Sequence, residues 1–163
     1  MTHTNVPVLI IGGGGCGLSA SIFLSNLGVE HLLVERHEST SLLPKAHYLN
    51  QRTMEAFRQH GVADAITEVG APIEKFGKVR WTTSMGGDGP LDRKVIHEMD
   101  AFGGGSLRER YEYDSPVMSS NYPQLRLEPL LREQAETRAP GQVRYHHEVL
   151  DWEQNDDGVV VTV

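Results

Sequence analysis

A chain of 163 residues, 39% hydrophobic and 23% charged, has the make-up of a globular domain able to bury a sizeable core. Its formal net charge of −7, with no block of basic residues, argues against a nucleic-acid groove or an anionic membrane surface as partner. The single cysteine, Cys16, excludes an internal disulfide and a cysteine-based metal site. No apolar run approaches a membrane span, and no basic region precedes the first apolar run, so a cytoplasmic protein is the expectation.

The chain opens on Val8-Leu9-Ile10-Ile11, four apolar residues that read as a buried strand. Gly12, Gly14 and Gly17 follow in the frame G-x-G-x-x-G. The first glycine permits a tight bend, the second lets a pyrophosphate approach the backbone, and the third lets helix and strand pack closely. Ala20, Phe23, Leu24 and Leu27 then recur at helical spacing, and Gly28 stops the helix. A second strand, Leu32-Leu33-Val34, ends in Glu35, about 20 residues beyond the first glycine, where an acid accepts hydrogen bonds from a ribose diol. A carboxylate there disfavours a 2′-phosphate, so NADP does not suit this site. The ordered series of strand, turn, helix, stop, strand and acid points to a dinucleotide site, with free amides and the positive end of a helix dipole facing the phosphates.

Arg36, His37 and a polar loop lead to Leu43-Pro44-Lys45-Ala46-His47-Tyr48. A helix is expected from Asn50, its N-cap, to a stop at Gly61, with Met54 and Phe57 facing the core. A short helix over 62–69 follows, closed by Gly70-Ala71-Pro72. Residues 76–84 alternate, with Val79, Trp81 and Thr83 on one side of a strand. The pattern weakens from Met85 to Tyr122, where glycines and Pro116 break it and only strand fragments such as 94–99 are expected. Pro129 places the start of the next helix near itself, with Leu127, Leu130, Leu131 and Ala135 as its buried face and Pro140-Gly141 as its end. Residues 143–147 read as a third parallel strand. Residues 148–154 and 159–163 read as two strands joined by Asn155-Asp156-Asp157-Gly158. The last apolar strand carries no capping element, which suggests a fragment. Trp81 and Trp152 are expected to pack.

Three motifs together carry a family resemblance: Gly12 to Gly17 with Glu35-Arg36, then Pro44 to Glu55, then Gln124 to Leu131. On these the chain resembles the N-terminal part of class A FAD-dependent aromatic hydroxylases, in particular the phenol and chlorophenol monooxygenases. The resemblance implies an α/β fold, a Rossmann-like FAD-binding βαβ domain with an added antiparallel strand pair. It also implies that residues 1–163 are the N-terminal part of that domain, that 75–122 form an irregular insertion on the substrate side, and that the C-terminal remainder is absent. The cofactor would be FAD, with NADH or NADPH as transient reductant and a small phenolic substrate hydroxylated through a flavin hydroperoxide. Homo-oligomerisation stays open.

The same resemblance implies the site residues. The turn at Gly12, Gly14, Gly15 and Gly17 would face the phosphates, Glu35 the adenosine ribose and Arg36 the adenine. Lys45 stands where relatives often carry arginine near the phosphates, keeping the charge but losing the bidentate fork. Arg52 would lie near the flavin or its phosphates, Gln124 would reach the ribityl chain or the phosphates, and Val149 would touch adenine through its backbone. His47 matches a polar position that helps ionise the phenol, a role suited to an imidazole. From the residues alone, His47 reads equally as a surface loop residue, Lys45 and Arg52 as solvated charges, and Gln124 as a residue merely preceding a helix. Relatives bind the flavin further through a later Asp-Gly segment and a Gly-Asp motif, neither of which falls in these 163 residues. As a fragment, the chain is expected to be inactive alone. The alternatives are a non-catalytic nucleotide-binding module and an NAD-dependent Rossmann dehydrogenase fragment.

Overall fold

A computed structural model describes residues 3–163. The chain divides into two compact units, one of residues 1–46 with 123–163, the other of residues 47–122.

The first unit is a parallel α/β layer. Strand β1 (Val8–Ile11), helix α1 (Gly15–Asn26) and strand β2 (His31–Glu35) form the opening βαβ unit. β1 pairs with β2 in parallel register, from Val8 opposite His31 to Ile11 opposite Val34. Strand β7 (Val143–Tyr145) joins the other side of β2, also in parallel, giving the order β1-β2-β7. The third parallel strand is therefore present, though it ends at Tyr145, because His146 takes a left-handed φ of 61° and turns the chain away. β2 is central, and His31 to Val34 are all buried, as a strand covered on both faces requires. His31 is accommodated there because its Nε2 lies 2.7 Å from Ser21 Oγ and its Nδ1 3.0 Å from Val29 O.

α1 buries Leu18, Ser21 and Ile22 rather than the expected stripe; Leu27 is exposed. The helix is apolar on most sides, so spacing alone did not select its face. The small residues Gly17 and Ser21 decide it. A Cβ on Gly17 would overlap the Gly12 carbonyl oxygen, so the close approach of helix to strand needs glycine there. Gly28, at φ +69°, ends the helix as expected.

Helix α6 (Gln124–Arg138) packs against α1. It begins at Gln124, not near Pro129, which lies inside the helix with its ring exposed. Placing the start at Pro129 rested on proline being confined to a first turn. Here the lost Pro129 N–H deprives the Leu125 carbonyl of a partner, and the helix tolerates that loss. Its buried residues are Leu127, Glu128, Leu131 and Ala135, with Leu130 only half-buried. Strands β8 (Asp151–Asn155) and β9 (Gly158–Thr162) form the expected antiparallel pair. Asn155 Oδ1 accepts from the amides of Asp157 and Gly158, which fixes the turn. Trp152 does not pack; it is exposed on this two-stranded ribbon.

In the second unit, strand β3 (Tyr48–Leu49) pairs antiparallel with β6 (Ser120–Asn121). Helix α2 (Gln51–Gln59) has Asn50 as its N-cap, accepting from Thr53 N at 2.9 Å, and buries Met54 and Phe57. Helices α3 (Ala63–Val69) and α4 (Ile73–Phe76) follow, then the antiparallel pair β4 (Lys78–Thr82) and β5 (Val95–Asp100). Trp81 is also exposed, against the packing role expected for it, with its ring 5.4 Å from that of His97. A 3₁₀ turn at 105–107 and helix α5 (Arg108–Asp114) complete the unit. Residues 85–122 therefore hold more regular structure than their glycines suggested. Ser119 Oγ, donating to Phe102 O, and Gln51 Nε2, donating to Tyr111 O and Val117 O, tie that stretch down.

Candidate functional site

The turn between β1 and α1 is built around Glu35. Gly12, at φ +115°, makes the bend, and its amide donates to Val34 O at 2.8 Å. Gly13 N donates to Glu35 Oε2 at 2.7 Å, and His37 N donates to Glu35 Oε1 at 2.9 Å. Burial pushes the Glu35 carboxyl up. The amides of His37 and Gly13, helped by His37 and Arg36, outweigh that push and hold it below the ordinary glutamate value. The carboxylate is thus an anion fixed at the C-terminal end of the central strand, with lone pairs left for hydroxyl donors.

Gly13 is outside the G-x-G-x-x-G frame, yet it is tightly enclosed. A Cβ there would sit 2.8 Å from Glu35 Cβ and 2.9 Å from the Tyr145 phenol. The Tyr145 hydroxyl donates to Gly13 O at 2.7 Å, and the Arg132 guanidinium lies 4.1 Å from the tyrosine ring centroid. Burial raises the Tyr145 phenol to about 12, against a smaller opposing pull from Arg132. By contrast, a Cβ on Gly12 or Gly15 would meet no protein atom within 4 Å, so space is open beside the turn.

The first α-helical bond of α1 runs from Leu18 N to Gly14 O at 3.0 Å, so the amides of Gly15, Cys16 and Gly17 are its orphan donors. One is already engaged: Gly15 N donates to Glu128 Oε1 at 3.3 Å. The same oxygen accepts from Gln124 Nε2 at 2.6 Å, and Oε2 accepts from Ser41 N at 3.1 Å. Because a carboxylate only accepts, the amide end of Gln124 must face it. The backbone ties this region further, with Gln124 N donating to Ala46 O at 2.8 Å beside the exposed Lys45.

The first unit therefore brings together the Gly12–Gly17 turn, Glu35 and Gln124, with Lys45 on the segment bonded to the start of α6. Arg36 is exposed, its Nε 3.3 Å from His37 Nε2, and Val149 is half-buried in the connection from β7 to β8. Arg52 and His47 belong to the second unit. Arg52 is largely exposed and paired with Glu55 at 2.8 Å. His47 is exposed, with Nδ1 3.1 Å from Asn121 Oδ1; in the neutral tautomer that donates from Nδ1, Nε2 is the acceptor. Glu128, Gly13 and Tyr145 were missed by sequence reasoning. For Glu128 a signal existed: a carboxylate in the middle of a leucine-rich helix face, four residues after Gln124.

A parallel βαβ layer with a glycine turn opening onto a helix N-terminus and an acid ending the second strand defines a dinucleotide-binding α/β domain. Comparison places it more narrowly. A family profile described as "FAD binding domain" matches residues 5–163, and the chain belongs to that family. It is 35% identical to a phenol 2-monooxygenase of Pseudomonas sp. (strain EST1001), over 99% of this chain and 26% of the relative. It is 37% identical to the aklavinone 12-hydroxylase DnrF of Streptomyces peucetius subsp. caesius, over 98% of this chain and 31% of the relative. Among solved structures, the flavin-dependent monooxygenase PieE in complex with FAD and substrate superposes with a TM-score of 0.89 at 38% identity, covering 99% of this chain and 27% of that one. The chain thus spans about three-tenths or less of the length of these relatives. The α/β FAD-binding fold read from the sequence is the observed one. Among the described residues, no helix is long and apolar enough to cross a membrane.

Proposed function

We propose that this chain is the FAD-binding portion of an NAD(P)H-dependent flavin monooxygenase that hydroxylates a phenolic or related aromatic ring. The observation that carries the reading is the Glu35 carboxylate, anionic and clamped by two backbone amides at the end of β2. It fits the ribose hydroxyls of an adenine dinucleotide, and the open space beside Gly12 and Gly15 suits a diphosphate. Membership of the FAD-binding family makes FAD the dinucleotide.

In this reading Glu35 accepts from the adenosine ribose, Arg36 lies by the adenine, and the Val149 backbone touches the adenine. The amides of Gly14, Cys16 and Gly17 take the diphosphate, while Gly12 and Gly15 contribute space. Lys45 adds positive charge there, Gln124 reaches the ribityl chain or the phosphates, and Arg52 is assigned to the flavin or its phosphates. Bound FAD supplies the redox chemistry, accepting hydride from NADH or NADPH and activating oxygen. His47 Nε2 is the acceptor offered to the substrate's phenolic proton, which makes the ring electron-rich. The aromatic substrate is inferred from the relatives, which are named for phenol and polyketide hydroxylation.

Titration of the purified chain with FAD, followed by the flavin absorbance bands, tests this. Saturable binding near one FAD per chain supports it. A chain that binds no FAD leaves the non-catalytic module, and tighter binding of NAD than FAD favours a dehydrogenase-type site.

A further inference from the structure

Glu128 is 2% exposed, and a carboxylate so deeply buried needs compensation for its lost hydration. Compensation comes from three N–H donors: the Gly15 amide at the positive end of α1, the Ser41 amide, and the Gln124 carboxamide. These donors lie 113, 87 and 4 residues away in sequence. They belong to three parts of the candidate site: the phosphate-facing turn, the loop leading to Lys45, and the flavin-facing glutamine. The Glu128 carboxylate, which only accepts, is the common partner of all three.

We propose that Glu128 is a positioning residue for the nucleotide site, a buried acceptor that fixes the Gly15 turn, the Ser41 loop and the Gln124 side chain relative to one another. The ligand in this inference rests on the FAD reading above; the tie among the three segments does not. Glu128→Gln tests it sharply because shape is kept while one acceptor oxygen becomes a donor. Its new NH₂ must then face either Ser41 N–H or the pair Gly15 N–H and Gln124 Nε2.

Amide hydrogen exchange on the chain without nucleotide reads the tie directly. Faster exchange at Gly15 and Ser41 in Glu128→Gln, with the β2 amides unchanged, is expected; unchanged exchange at both overturns the tie. FAD titration of wild type, Glu128→Gln, Gln124→Ala and the double variant then reads the positioning. The single Glu128→Gln change should weaken FAD about tenfold or more, and in the Gln124→Ala background the further loss should shrink to about threefold or less. Equal losses in the two backgrounds mean Glu128 only supports the fold, and overturn its role toward Gln124. A wild-type chain that binds no FAD sinks the functional reading and, with it, the ligand part of this inference, while the exchange result still decides the tie.

Discussion

Glu35 serves the fold and the ligand with the same carboxylate. Its two oxygens order the turn by accepting from Gly13 and His37 amides, and each keeps acceptor capacity for a hydroxyl donor. A hydrogen bond to a charged group is worth about 1.5–3 kcal/mol, so Glu35→Ala should weaken FAD binding by roughly ten- to a hundredfold. His47→Ala should barely change it, because the imidazole is exposed and its proposed partner is the phenolic substrate, not FAD; fluorescence titration of both variants checks the ranking. The lowered Glu35 pKa carries a pH signature. Its stabilising contribution is complete above the unfolded value of 4.5 and is lost as pH falls through the lower folded value. Urea midpoints measured from pH 7 to 3 should therefore fall less steeply for Glu35→Gln than for wild type. Gly13→Ala drives a methyl into Glu35 and Tyr145, and overpacking of that kind costs about 1–3 kcal/mol, visible as a lower thermal midpoint.

At the scale of elements, legibility followed how locally each element is determined. β1, its turn, β2 and α2 were readable because short apolar runs, a glycine frame and an Asn N-cap are written in adjacent residues. The face of α1 was not, since a helix apolar on most sides has its orientation chosen by Gly17 and by the Ser21–His31 bond, which no periodicity reports. α6 starts five residues before Pro129 because tertiary packing of Leu127 and Leu131 overrides a local breaker. Pro129→Ala should restore a donor to the Leu125 carbonyl and raise stability by about 1–3 kcal/mol, read by thermal melting. The site divides in the same way. Glu35 and the glycines announced themselves by spacing, whereas Glu128 and Tyr145 act through contacts with residues more than a hundred positions away.

At the scale of the whole molecule, the second unit leaves and re-enters the first at segments held together by the Gln124 to Ala46 hydrogen bond. The dinucleotide turn, Glu35 and Gln124 therefore belong to one unit, although 76 residues of sequence, His47 to Tyr122, intervene. Ligand binding at that unit should stabilise it by mass action. FAD at a hundredfold excess over its dissociation constant contributes about 2.7 kcal/mol, which for a chain of this size raises the melting midpoint by roughly 5–10 °C. Calorimetric titration of the chain with FAD and, separately, with NAD bears most directly on whether the glycine turn and Glu35 hold a flavin dinucleotide. One FAD per chain, bound more tightly than NAD and weakened in Glu35→Ala, is the predicted result. FAD binding that is absent, or indifferent to the loss of Glu35, would contradict it.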